Sequence, residues 1–288
     1  MQQNEIKFLL RQYGIEPSKA KGQNFLINQN ILKKITSAAD LHKDDKVLEI
    51  GPGFGILTEE LIKECKKVLS VELDKGLVFF IKKKFKEAKN LEILVGDILQ
   101  IKNADLVKKL ESSKAYKVVA NLPYAITKPI LRKFLSYQPK PAMMVVLVQK
   151  EVAEKICAKP GKMSLLSLTV QFYGQPEIIG YVGKQNFYPQ PKVESAILRI
   201  KVYAQKFLPQ LAKNPELIAG FEEKNFWQLV KFGYSSPRKQ LHNNLAAGLR
   251  ISNLEVKKAL EIANLNEKIR AQDLSLADWL NLYQQLMV

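Results

Sequence analysis

The sequence predicts an α/β fold in which a largely parallel sheet is covered on both faces by helices and followed by a small all-helical domain. Three observations carry this expectation. Short β-rich runs alternate with helix-length stretches through the first two-thirds of the 288 residues. The first of those runs exits into a glycine-rich turn that opens a helix. From about Ala204 the apolar residues recur instead at three- and four-residue spacing, the period of a helix with one buried face.

Lys46–Ile50 (KVLEI) and Val68–Leu73 (VLSVEL) read as strands separated by a helix that starts near Ile56. Leu91–Val95 precedes Gly96-Asp97 and reads as the third strand, and Lys117–Ala120 as the fourth. Pro129–Tyr137 has helical spacing, and Met143–Val148 is apolar enough for a buried strand. Glu177–Val182 and Val193–Val202 read as a closing pair, the second alternating as AILRIKV. Beyond them PQLAKNPELIAG, EEKNFWQLVKFGY, RKQLHNNLAAGL, NLEVKKALEIANL and SLADWLNLYQQLM each have helical periodicity. The expected division is therefore residues 1–204 and 205–288.

Composition excludes several classes. The longest apolar run, Ala142–Val148, is far shorter than the about 20 residues a membrane helix needs. The N-terminus lacks the basic, apolar and small-residue order of a secretion signal. Cys65 and Cys157 stand apart and form no metal-ligand pattern with the two histidines. A cytoplasmic, reduced protein with no metal is expected. With 45 basic and 28 acidic residues the formal charge is +17, which attracts phosphate polymers through counterion release. A generally lysine-rich composition explains the same number, so charge alone names only a polyanion.

Glu49-Ile50-Gly51-Pro52-Gly53-Phe54-Gly55 follows the first strand and opens the first helix of the sheet domain. Its G-x-G-x-G spacing differs from the G-x-G-x-x-G of dinucleotide binders. A cofactor lacking phosphate needs other anchors, and Glu72, at the end of the second strand, is placed to accept from ribose hydroxyls. Asp97, after the third strand, is placed to accept from an adenine amine. Taken singly, Glu49 reads equally as a turn cap, Glu72 as surface and Asp97 as the cap of the next helix. In this order and spacing they favour a nucleoside-bearing cofactor, and an acidic crevice suits a cation such as a sulfonium.

The fourth strand ends in Asn121-Leu122-Pro123-Tyr124. An exocyclic amine on an aromatic base is a poor nucleophile, and a site that methylates it needs acceptors for the amine hydrogens. The Asn121 side-chain oxygen and a carbonyl at Leu122 or Pro123 are suited to that task. Proline stiffens the turn and has no N–H of its own, and Tyr124 offers a stacking face for a base.

Taken together, GQNFL (22–26), EIGPGFG (49–55), VELD (71–74), GD (96–97) and NLPY (121–124) resemble the ribosomal RNA adenine dimethyltransferase family. QKEVAEK (149–155), F-x-P-x-P-K-V at Phe187–Val193 and RKQLHNNL (238–245) resemble its small-subunit, kasugamycin-sensitivity branch. The resemblance runs from about residue 20 to the C-terminus, and the order of several motifs makes it specific.

It implies a Rossmann-like methyltransferase domain using S-adenosylmethionine, with a helical C-terminal domain that contacts RNA. It also implies dimethylation of N6 on two adjacent adenines in the 3′-terminal hairpin of small-subunit (16S) ribosomal RNA. The expected setting is a small-subunit particle during its biogenesis, with the enzyme a monomer. By resemblance Asn24, Leu26, Gly51, Glu72, Asp97 and Asn121 hold the cofactor. Asn121, Leu122, Pro123, Tyr124 and Phe187 make the catalytic set, with Tyr124 and Phe187 sandwiching the target adenine. Two departures stand out: Ala125-Ile126-Thr127 replaces an expected Asn-Ile-Ser, and the arginine-rich lead-in before GQNFL is reduced to Lys19 and Lys21. A macrolide-resistance type of large-subunit RNA methyltransferase and a non-catalytic RNA-binding assembly factor are the competing readings.

Elsewhere, Lys82-Lys83-Lys84 reads as a solvated helix face, whereas Arg238 and Lys239 are the better phosphate contacts. His242 is assigned no catalytic role. Trp227 and Trp279 are expected in the core, and Glu151 and Glu154 in a helix beside the active-site strand.

Overall fold

A computed structural model describes residues 3–14, 23–112, 115–204 and 221–287. Lys19, Lys21, Gly22 and the expected helix over 209–220 lie outside the described residues. The chain groups into two compact units, Met1–Ala153 with Gly174–Val202, and Glu154–Tyr173 with Tyr203–Val288. The helical unit thus takes in residues 154–173, which sequence alone assigns to the first domain.

In the first unit, α1 (Gln3–Gln12), the two-residue strand β1 (Phe25–Leu26) and α2 (Gln29–Ala38) precede the sheet. The sheet then builds as β2 (Lys46–Ile50), α3 (Ile56–Glu64), β3 (Lys67–Glu72), α4 (Lys75–Lys84), β4 (Leu91–Val95), α5 (Asn103–Lys109) and β5 (Lys117–Asn121). A single 3-10 turn (Tyr124–Ile126) leads into α6 (Thr127–Ser136) and β6 (Met143–Gln149), followed by α7 (Lys150–Ile156) and α8 (Leu165–Tyr173). The last strands are β7 (Gly174–Val182), β8 (Phe187–Tyr188) and β9 (Ser195–Val202).

The main sheet has seven strands in the order β4-β3-β2-β5-β6-β9-β7. The five from β4 to β6 run parallel, while β9 is antiparallel to both β6 and β7. The predicted closing pair is therefore the antiparallel edge of an otherwise parallel sheet. β1 and β8 form a separate antiparallel ribbon, with Phe25 opposite Tyr188 and Leu26 opposite Phe187. Two-residue strands carry no periodicity, so this ribbon has no sequence signature.

Burial explains why the central strands read as apolar runs. Met144–Val148 in β6 are wholly buried, and each such Val or Leu contributes about 1.5–3 kcal/mol of transfer free energy. Local chemistry sets the helix starts. Asp74 accepts from the N–H groups of Gly76 and Leu77 at the head of α4, and Asn28 accepts from Asn30 at the head of α2. Asp97 instead closes a turn on the Leu99 N–H at 2.9 Å, six residues before α5 begins.

The glycine turn is built from left-handed backbone, with Gly51, Gly53 and Gly55 at φ 67°, 58° and 71°. At Gly55 an added Cβ would stand 2.5 Å from the Phe85 ring, so this position needs glycine for space as well as for conformation.

In the helical unit, α8 is joined by α9 (Glu223–Gly233), α10 (Leu241–Leu249), α11 (Asn253–Ile262) and α12 (Leu276–Met287). Phe172 of α8 stacks on Phe226 with ring centroids 5.4 Å apart, and Trp227 meets it edge-on at 5.1 Å. That aromatic contact is what recruits the 154–173 segment. Trp279 is fully buried, stacked on Tyr234, and closes against Gly233, where no Cβ fits. Trp227 is only half-buried, a correction to its expected place in the core. Among the described residues no helix is long and apolar enough to cross a membrane, and no cluster of three His, Cys, Asp or Glu side chains is arranged for a metal.

Gly55→Ala should destabilise the protein by roughly 2–4 kcal/mol, combining a left-handed alanine with a forced shift of Phe85. Urea unfolding of the two proteins measures it, and a loss below about 0.5 kcal/mol would contradict the packing described.

Candidate active site

The strand order reverses between β2 and β5. From β2 the chain proceeds outward through β3 and β4, and on its return to β5 it continues the other way through β6. Crossovers leaving adjacent strands in opposite directions open a crevice at their carboxyl ends. β2, β3 and β5 deliver Glu49 to Gly51, Glu72 and Asn121 to that edge.

Two connected lobes occupy the crevice. One, of about 740 Å³, is lined by Asn24, Leu26, Glu49, Gly51, Gly53, Glu72 and the whole Asn121–Tyr124 motif, among others. The other, of about 830 Å³, is lined by Leu73, Asp74, Asp97, Ile98, Ala125 and Ile126. Gly51, Glu72 and Pro123 border both. The departure at Ala125 thus falls on the lobe that holds Asp97, beside Leu73 and Ile98.

The GQNFL segment lies across the glycine turn. The Phe25 ring packs on Phe54 at 4.8 Å between centroids, and a Cβ on Gly53 would meet Phe25 at 2.9 Å. The next contact joins this segment to the fourth strand: the Asn121 Nδ2 donates to the Asn24 carbonyl at 2.9 Å. With the amide nitrogen committed, the Asn121 Oδ1 is left as an acceptor.

After Asn121 the chain peels away from the sheet. The Leu122 N–H still donates to Leu147 of β6 at 3.2 Å. The Pro123 carbonyl accepts from the Ile126 N–H at 3.2 Å and from the Thr127 hydroxyl at 3.4 Å. Both of its lone pairs are thereby used in bracing the turn, which leaves Leu122 as the better-placed of the two expected carbonyl acceptors. The Tyr124 hydroxyl is held at 2.7 Å from Ser195 Oγ at the start of β9.

A family model described as ribosomal RNA adenine dimethylase matches residues 17–287. The chain belongs to the ribosomal RNA adenine dimethylase family. It is 42% identical over 275 residues to a protein of Dehalococcoides mccartyi named ribosomal RNA small subunit methyltransferase A, covering 96% of this chain and 90% of that one. A relative of the same name from Alkaliphilus metalliredigens is 36% identical, covering 98% and 96%. Among solved structures, a dimethyladenosine transferase from Plasmodium falciparum superposes with a TM-score of 0.72 at 25% identity, covering 91% and 96%. The 23S rRNA methyltransferase ErmE superposes at 0.70 with 26% identity, covering 91% and 99%.

Most of the residues expected from family resemblance converge: Asn24, Leu26, Gly51, Glu72 and Asn121–Tyr124 share one lobe, and Asp97 faces the second. Phe187 lines neither lobe; it is 3% exposed and pairs with Leu26 across the small ribbon. Arg238 and Lys239 are exposed in the turn before α10 rather than inside that helix. His242 is buried between Gln240 at 2.9 Å and Asn253 at 3.0 Å, a structural arrangement. Burial pushes the Cys65 thiol up to about 12, which leaves it unreactive.

Glu49 goes beyond its expected role in the turn. Its side chain is 1% exposed. Oε2 accepts from Thr58 at 2.7 Å and from Ser70 at 2.6 Å, while Oε1 has no partner among the described residues. Burial pushes its carboxyl up to about 7, opposed by the hydrogen bonds from Ser70 and Thr58 and aided by the charge of Glu72. Glu72 is also raised by burial, although the N–H groups of Asp74 and Gly53 favour its ionised form. Only three-dimensional placement reveals this, because Ser70 and Thr58 lie 21 and 9 residues away in sequence.

Between the ordinary carboxyl value of 4.5 and about 7, folded Glu49 holds a proton that the unfolded chain has lost. Stability should therefore fall as pH rises through that window. Glu49→Gln removes the effect: relative to the parent, the variant should gain up to about 3 kcal/mol between pH 4.5 and 8 in urea unfolding. A difference that is flat with pH would contradict the assignment.

Proposed function

We propose that this chain transfers methyl groups from S-adenosylmethionine to N6 of two adjacent adenines in the 3′-terminal hairpin of small-subunit ribosomal RNA, presented in a cytoplasmic small-subunit particle. The observation that carries the reading is the Asn121-to-Asn24 hydrogen bond. It orients an amide acceptor at the wall shared by the glycine turn and the aromatic motif.

The residues present fit the cofactor. Gly51 and Gly53 line the crevice with bare backbone, and Glu72 and Asp97 supply acceptors suited to ribose hydroxyls and an adenine amine. The Glu49 Oε1, without a partner among the described residues, belongs to a carboxyl whose ionisation a bound cation would favour against the cost of burial. When bound, S-adenosylmethionine supplies an electrophilic methyl group on a sulfonium sulfur. The chain supplies everything else. Asn121 Oδ1 and the Leu122 carbonyl accept the two amine hydrogens before the first transfer and the one that remains before the second, which directs the nitrogen lone pair without a strong base, and each released proton passes to water. Tyr124 stacks on the base at about 1–3 kcal/mol, and the rigid turn through Pro123 keeps acceptors and ring in one geometry. For Phe187 to supply the opposite face of the sandwich, its buried ring must turn out of the apolar cluster or the base must approach along the β1–β8 ribbon.

The 42% and 36% identity to proteins named for the small subunit supports the substrate assignment. Likeness to ErmE, at 26% identity, makes the large subunit the alternative to test.

The assay is dimethyladenosine in nuclease digests of undermodified small subunits incubated with enzyme and S-adenosylmethionine, read by mass spectrometry. Two dimethyladenosines per particle are expected, and Asn121→Ala should lower the rate about 100-fold or more. Product on large subunits instead would overturn the assignment. We also propose that Arg238 and Lys239 contact phosphate. Changing either to alanine should weaken particle binding at low salt and lower the slope of log affinity against log salt by about one.

A further inference from the structure

The two aromatic residues expected to sandwich a base sit on different elements, Tyr124 after β5 and Phe187 in β8. β5 and β8 belong to different sheets and do not pair with one another. Tyr124 is fixed at its backbone end by the 3-10 turn, where the Ile126 N–H closes on Pro123. At its far end the hydroxyl reaches across the end of β6 to Ser195, 2.7 Å away.

Ser195 is well placed to hold it. Its residue is wholly buried, and its backbone lies between two partner strands, opposite Gln149 of β6 and Val182 of β7. It is a hydroxyl on an otherwise apolar stretch of β9, followed by Ala196, Ile197 and Leu198, all buried. It also terminates the loop that begins at Phe187, so one hydrogen bond ties the aromatic motif to the segment bearing the second ring.

We propose that Ser195 is a positioning residue: through its hydroxyl it holds the Tyr124 ring at the angle required for a target adenine, and for the return of the monomethylated base. This rests on the functional reading above. The second transfer depends on it more than the first, because a base already carrying one methyl group must be gripped again with less room to turn.

The test compares the parent with Ser195→Ala, Tyr124→Phe and the double variant, using small-subunit particles and S-adenosylmethionine. Tyr124→Phe keeps the ring and removes only its side of the bond. Each single variant should lower kcat about tenfold, the effect of losing one hydrogen bond, with KM for the particle and calorimetric affinity for S-adenosylmethionine within twofold of the parent. Both should shift product from dimethyladenosine towards monomethyladenosine. The double variant should be no worse than either single one, since both break the same bond.

Additive losses, an unchanged product ratio, or parental kcat in either variant would overturn the role of Ser195 while leaving the reaction itself standing. A drop in cofactor affinity or melting temperature large enough to account for the lost rate would reduce Ser195 to a structural residue. A parent that makes no dimethyladenosine on small subunits would remove the functional reading and this proposal together.

Discussion

The reversal of strand order between β2 and β5 is the constraint from which the site follows. Two adjacent parallel strands whose crossovers depart in opposite directions cannot both have their carboxyl ends covered. Glu49, Gly51, Glu72, Asp97 and Asn121–Tyr124 lie within a few residues of such an end, whereas Asn24 precedes β1 and Leu26 and Phe187 lie in the β1–β8 ribbon. Glu49, Gly51, Glu72 and Asn121 converge because the register holds Glu49 beside Ser70 and Val119, not because they are near one another in sequence. The apolar burial of β2, β5 and β6 is what maintains that register, since slipping a strand by one residue would turn its buried side chains outward.

Hydrogen-bond economy then assigns roles within the crevice. Asn121 has one nitrogen and one oxygen to commit, and donating to the Asn24 carbonyl decides which is left for a ligand. The Pro123 carbonyl is spent on its own turn, so the rigidity that proline supplies comes with the loss of that acceptor. The Tyr124 hydroxyl is likewise occupied by Ser195, which leaves the ring face as the part of the side chain without a hydrogen-bonding commitment. Asn121, Leu122 and Tyr124 are thus each held by a bond to a different part of the chain: Asn24, Leu147 and Ser195.

Electrostatics divides the molecule in the same way. The chain carries a formal charge of +17, suited to a phosphate polymer, yet the crevice collects Glu49, Glu72 and Asp97. Burial disfavours ionisation of both glutamates, and a bound cation would relieve that cost. A net positive chain and a carboxylate-lined crevice are suited to oppositely charged ligands, a polyanion and a cation respectively.

The sequence by itself determined the alternation of elements, the glycine turn, the carboxylates at strand ends and the NLPY motif. These are legible because each depends on local chemistry: apolar period, left-handed glycine, strand-end position. Tertiary structure decided the rest. The 154–173 segment belongs with the helical unit because Phe172 stacks on residues more than 50 positions later, a partner no window of sequence contains. Glu49 becomes a buried carboxyl bonded to Thr58 and Ser70, and Ser195 meets the hydroxyl of a tyrosine 71 residues before it. The two-residue ribbon that buries Phe187 against Leu26 is too short to have a period. Local propensity specifies which elements form, but a side chain's chemistry depends on its neighbours in space, and chain folding alone chooses those.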